Sequence, residues 1–143
     1  MNYAGFLRRW TAATIDGLII LLVGALIVGI GVAAVVLIGF QTTAGPVFSI
    51  ITGVVSLLLS LGPLVYETVM IARTGATYGK GLRRLRVVRT NGEPVSGGRA
   101  LARTLAKSFL SSILFIGFFI ALFTAKKQSL HDLLADTVVV RVG

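Results

Sequence analysis

Between Gly17 and Phe40 the chain runs for 24 residues without one charged side chain. A helix crossing about 30 Å of hydrocarbon needs about 20 predominantly apolar residues, so this run is long enough to span a bilayer with some tilt. A second run, from Pro46 to Ala72, carries a single charge, Glu67. A third, Ser108 to Ala125, is 18 residues long and holds Phe109, Phe115, Phe118, Phe119 and Phe123. A soluble domain is typically about 45–50% apolar and about 25% charged. This chain of 143 residues is 55% hydrophobic and 13% charged, so it lacks the charged surface that water requires. The pattern predicts an integral membrane protein and excludes an ordinary soluble enzyme.

The N-terminal Arg8-Arg9 ahead of an apolar run imitates a secretory signal. The run is far longer than the usual core of about 7–15 residues and has Asp16 at its mouth, so it reads as a span rather than a cleaved signal. The absence of cysteine excludes a disulfide framework, thiolate-ligated metal and thiol catalysis. His131 is the only histidine, so no metal site is expected, nor is any cofactor or catalytic residue.

Lysine and arginine set orientation. Arg8 and Arg9 precede the first run, the connection 41–45 has none, and nine of the fourteen fall between the second and third runs. The expected protein is a single domain over 1–143. Its hydrophobic segments cover about 13–40, 46–72 and 108–125, followed or separated by a basic cytoplasmic loop at 73–107 and a cytoplasmic tail at 126–143. The N-terminus is expected on the cytoplasmic side of the membrane. A full third crossing would put Lys126, Lys127 and Arg141 outside, whereas a re-entrant segment turning near Gly117 would keep every basic residue on one side. Both readings stay open. The fold class is thus an all-α membrane protein, a two-helix transmembrane hairpin plus a third hydrophobic segment, with an interfacial basic helix and a small cytoplasmic β element.

Small and hydroxyl residues mark helix faces. Ser49, Gly53, Ser56 and Ser60, continued by Pro63 and Glu67, recur at spacings of four and three, and Gly17, Gly24 and Gly31 at seven. Such stripes let helices approach closely, which predicts that the two pack against each other. Pro63 frees the carbonyl of Leu59, which Ser60 is placed to satisfy. Asp16 and Glu67 are the costly residues, since an acid at mid-membrane costs about 2.5–3.5 kcal/mol on insertion scales. Either they form a proton or cation site or they are one half of a structural ion-pair cluster. Arg9 and Arg73 are the nearest cations along their helices.

The stretch Thr74–Gly81 imitates a phosphate loop, but its spacing is one residue short and Gly81 stands where a hydroxyl would bind magnesium. It reads as a glycine-rich turn. Leu85–Arg89 and Thr137–Val142 read as short strands that pair, and Asn91-Gly92 as a hairpin turn. Arg99, Arg103 and Lys107, four apart, put a basic stripe on a helix at the membrane surface. With Arg83 and Arg84 they are the expected contacts to anionic lipid. Nucleic acid is not an expected partner. Ser129-Leu130-His131-Asp132 carries a capping box, and from a cytoplasmic tail His131 and Asp132 reach the mouth where Asp16 and Glu67 lie.

Several of these segments together resemble one family. They are Gly5–Arg9 with Ala13 and Asp16; Gly75–Lys80 with Arg86, Val87, Val88 and Gly92; Arg99–Leu101 with Arg103; and Gln128–Asp132 with Ala135, Thr137 and Val138. The chain resembles, over nearly its whole length, the RDD family of small bacterial membrane proteins, named for one arginine and two aspartates. The resemblance places the arginine on Arg9 (with Arg8 as the alternative) and the aspartates on Asp16 and Asp132. Asp136 stands where the family usually has glycine. It implies a multi-pass transporter, with monovalent cation/proton exchange through the acids of an oligomer. Its alternative is a non-catalytic accessory subunit of a larger membrane complex.

Overall fold

The uncharged runs form the two long helices of the computed structural model, which describes residues 2–39, 45–113 and 123–143. Helix α1 covers Phe6–Gly39 and α2 Gly45–Thr74. At about 1.5 Å per residue the 34 residues of α1 and the 30 of α2 each exceed the about 30 Å of a hydrocarbon core. Both are long and apolar enough to cross a membrane, and little of either is covered by protein. Short helix α3 (Tyr78–Leu82), strand β1 (Leu85–Arg89), helix α4 (Gly97–Ile113), helix α5 (Leu130–Leu134) and strand β2 (Thr137–Arg141) complete the order. The described part of the chain is therefore mostly helical, with one small sheet. Residues 114–122, on which the choice between a re-entrant and a full third segment falls, lie outside the described residues.

The chain divides into two compact units, Gly17–Pro63 and Met1–Asp16 with Leu64–Gly143. In the first, the glycine stripe of α1 meets a different row of α2 from the one expected. A Cβ on Gly31 would sit 2.8 Å from Val55 Cγ2, and one on Gly24 3.3 Å from Leu59 Cδ2, while Gly17 and Gly53 have open space. Ser49, Gly53, Ser56 and Ser60 are exposed. The hydroxyls explain part of this. Ser49 donates to Gly45 O (3.0 Å) and Ser60 to Ser56 O (2.8 Å), four residues back on their own helix. They therefore have no need of a partner across the contact, and Ser60 does not serve the carbonyl of Leu59. Branched side chains instead fill the room that glycine leaves.

In the second unit β1 and β2 pair antiparallel, Leu85 opposite Arg141 and Arg89 opposite Thr137. The N-terminal residues flank β2 on its other side: Tyr3 bridges Val140, Ala4 N–H donates to Val139 O, and Arg141 N–H to Asn2 O, both 2.9 Å. The edge of this two-stranded sheet is thus covered. Ala4, Ala12, Ile71, Leu85, Val87, Val95, Ala100 and Val139 form its core. Asn91-Gly92 does turn the chain, with Gly92 at φ 91°, but β1 pairs with the distant β2 rather than with the segment that follows the turn. Asp136, in the place of the family glycine, takes a left-handed φ of 52°. That conformation costs most residues roughly 1–2 kcal/mol. Here the carboxylate accepts from Thr90 and from Arg99 (3.2 Å), which anchor the turn.

Candidate functional site

The second unit carries a buried charge network built from five elements. The first turns of α1 supply Arg9, and Asp16 two turns on; the end of α2 supplies Glu67; α3 supplies Lys80; and α4 supplies Arg103 and Lys107. Asp132 comes from the first turn of α5, where the Ser129–Asp132 capping box forms.

Asp132 is the hub. Its side chain is fully buried, and it accepts from Arg9 Nη1 at 2.7 Å, Arg103 Nε at 2.9 Å and Ser129 Oγ at 2.7 Å. Arg103, 2% exposed, bridges two acids, because its Nη1 also reaches Glu67 Oε1 at 3.4 Å. Glu67 meets two further cations, Lys107 Nζ at 2.6 Å and Lys80 Nζ at 3.4 Å. Lys80 Nζ donates in turn to Thr77 Oγ1 (3.3 Å), and the Thr77 hydroxyl donates to Asp16 Oδ2. Gly79 N–H donates to Asp16 Oδ1 at 2.7 Å. Asp16 therefore caps α3 from outside, accepting the Gly79 N–H of its first turn, where negative charge is favoured, while the Tyr78 N–H donates to Tyr66 Oη at 3.0 Å. Gly79 is needed for this approach: a Cβ there would fall against Ala12 O and 2.9 Å from Asp16 Cγ.

Every carboxylate oxygen of Asp16, Glu67 and Asp132 has a donor from the chain itself. Charge is not balanced, since four cations face three carboxylates. Nε and Nη2 of Arg9 are buried without a hydrogen-bond partner among the described residues.

Burial by itself would raise the Asp132 carboxyl, but Arg103, His131 and Arg9 outweigh it and hold it well below the usual carboxylate range. Burial pushes His131 down to about 3, helped by Arg103, so the imidazole is neutral near pH 7. Its Nε2 lies 2.9 Å from Ser129 Oγ. Since that hydroxyl gives its proton to Asp132, the Nε2–H tautomer donating to Ser129 satisfies both groups. Burial also lowers Lys80, against the pull of Glu67, to about 8.

Arg9, Asp16, Glu67, His131 and Asp132 are thus brought into one network, although the pairings differ from the nearest-along-the-helix expectation. Arg9 holds Asp132 rather than Asp16, and Glu67 pairs with Lys80, Arg103 and Lys107 rather than Arg73. Of the expected lipid contacts, Arg103 and Lys107 are consumed here, and Arg99 donates to Asp136 and to Ala135 O. Arg83 and Arg84 remain exposed. Sequence reasoning missed Lys80, Thr77 and Gly79. A lysine inside a glycine-rich stretch directly after an acid-bearing helix was the available signal.

Residues 3–136 match the family model described as RDD family. Among curated proteins, the proline-rich antigen homolog of Mycobacterium tuberculosis is 34% identical over 99 residues, 66% of this chain and 41% of that protein. An uncharacterized protein of Rickettsia prowazekii is 41% identical over 68 residues, 47% of this chain and 37% of the relative. One of Bacillus subtilis is 32% identical over 84 residues, covering 59% and 55%. The aligned parts thus make up roughly half or less of these relatives' own lengths. No solved structure matches the chain.

Proposed function

This chain belongs to the RDD family, and from that membership we propose that it is a non-catalytic module of the bacterial inner membrane that docks on a larger membrane complex. The observation carrying this reading is the saturation of the acids. A transported cation must find free carboxylate oxygens, and those of Asp16, Glu67 and Asp132 are already held by internal donors. Buried pairs of this kind commonly serve geometry, here by tying α5 to the start of α1, the end of α2 and α4.

The exposed Ser49–Gly53–Ser56–Ser60 face of α2 supports docking, because small residues permit close approach of another helix. The greater length of the relatives agrees with a module joined to other parts. Pairing of β2 with β1 supports a tail on the same side as the basic loop, hence a re-entrant third segment and a cytoplasmic N-terminus. Purification in a gentle detergent should recover the protein with stoichiometric partners. A lone, stable homo-oligomer would count against the proposal.

One observation favours the second reading, cation/proton exchange by an oligomer. Lys80, buried beside Glu67 with a pKa of about 8, changes protonation near physiological pH. If that reading holds, protein in liposomes shows cation-dependent proton flux that Lys80→Met and Asp16→Asn each abolish. The docking reading predicts no flux above protein-free vesicles.

A further inference from the structure

All five acidic residues of the chain are engaged. Asp16, Glu67 and Asp132 are held in the network, Glu93 pairs with Arg89, and Asp136 with Arg99. Yet Arg8, Arg83, Arg84 and Arg141 line one cleft of about 650 Å³. Arg84 Nη1 donates to Gly143 O at 3.3 Å on the cleft wall. Among the described residues none of the acidic side chains comes within ion-pair distance of these four. Four exposed arginines thus share one cleft without an acidic side chain among them.

The cleft walls are fixed by backbone hydrogen bonds. Arg141 N–H donates to Asn2 O and Val142 N–H to Arg84 O, both 2.9 Å. Arg84 itself is held at a left-handed φ of 53°, with its N–H on Gly81 O at 2.9 Å. A non-glycine residue kept in that region indicates that the surrounding structure over-determines it.

Leu82, 63% exposed, lines this cleft and also an adjoining groove of about 330 Å³ that includes Met70 and Tyr78. Polar cleft and apolar groove therefore share a wall. Exposed Tyr78 and Trp10 on the same unit are the residue types that settle at the headgroup level of a bilayer.

We propose that cleft and groove together bind an anionic glycerophospholipid, its phosphodiester among Arg8, Arg83, Arg84 and Arg141 and the upper part of one acyl chain along Leu82 and Tyr78. Arginine suits phosphate because its planar fork can donate two hydrogen bonds to two oxygens. The inference rests on the chain being a membrane protein and is independent of whether it docks on a complex.

The test uses the full chain, stripped of lipid in a neutral maltoside detergent and titrated by native mass spectrometry. The probes are phosphatidylglycerol, phosphatidylcholine with identical acyl chains, and inorganic phosphate at matched ionic strength. The parent should bind phosphatidylglycerol at least about tenfold more tightly than phosphatidylcholine, given about fivefold per basic residue near an anionic surface. Arg83→Gln with Arg141→Gln should lose most of that preference, with an unchanged melting temperature. Arg83→Lys with Arg141→Lys should keep most of it. Equal retention of the two lipids by the parent overturns the proposal, as does undiminished selectivity in the folded glutamine variant. Displacement of phosphatidylglycerol by equimolar inorganic phosphate overturns it too, and assigns the cleft to a soluble phosphate.

Discussion

Asp132→Asn removes the hub charge with almost no change in volume. Arg9 and Arg103 then stay buried, with side chains 8% and 2% exposed, and face a neutral amide. Arg103 keeps Glu67 at 3.4 Å, whereas Arg9 loses the acceptor of its Nη1, with its other two nitrogens already unpaired among the described residues. Breaking a buried pair by removing one partner costs about 3–5 kcal/mol. The asparagine carbonyl can still accept one of the donors, so the lower end, about 3 kcal/mol, is expected. Asp136→Asn is the control: its carboxylate is 46% exposed and its pairs lie at the surface, so its loss should be far smaller than that of Asp132→Asn. Denaturant titrations in mixed micelles, followed by circular dichroism and by emission of the single Trp10, give both values. Adding Arg9→Met to Asp132→Asn removes the stranded charge and should recover about 1 kcal/mol or more. A loss within about 0.5 kcal/mol for Asp132→Asn, or a further loss on adding Arg9→Met, would refute the argument.

Gly79→Ala should destabilise by about 1–3 kcal/mol, because Ala12 O and Asp16 leave no room for a methyl. Gly53→Ala, in open space, should melt at or above the parent temperature. Gly31→Ala pushes against Val55 Cγ2 at 2.8 Å and should be rescued by Val55→Ala, a coupling that a double-mutant cycle reads directly. His131 is neutral in the fold and takes a proton at about 6.5 when unfolded, so stability is present above that pH and falls as pH drops toward about 3. The slope is about 1.4 kcal/mol per pH unit. Between about pH 4.5 and 6.5, where the contribution of Asp132 is present and no longer changes with pH, His131→Gln should flatten the profile. An unchanged slope would remove His131 from the network.

Much of the fold was legible because its signals are local. The uncharged runs gave α1 and α2, the β-branched stretches gave β1 and β2, and the spacing from Ser129 to Asp132 gave the capping box. The acids were legible too, since a charge in an apolar run needs a partner.

Direction was not legible. Arg99, Arg103 and Lys107 form a stripe by spacing alone, but nothing in the spacing says that Arg103 points inward, to Asp132, while Arg99 meets a surface acid. The glycine stripe of α1 was visible, but the row it meets was decided by the shapes of Val55 and Leu59. Lys80 stays hidden because Thr74–Gly81 lacks the spacing of a phosphate loop and by its glycines alone reads as a turn. It is a turn whose backbone and lysine connect Asp16 to Glu67.

The network exists only if the tail returns to the elements it pairs with, and a cross-link tests this most directly. The chain has no cysteine, so Arg86→Cys with Val140→Cys introduces one pair at register partners of β1 and β2. Cross-strand partners in an antiparallel pair lie about 4.5–5.5 Å apart at Cα, within the span of a disulfide. Under mild oxidation in intact membranes the pair should form a disulfide, while the offset pair Arg86→Cys with Val138→Cys stays reduced. Thiols at 86 and 140 that remain reduced and are labelled from opposite sides of the membrane would contradict the account.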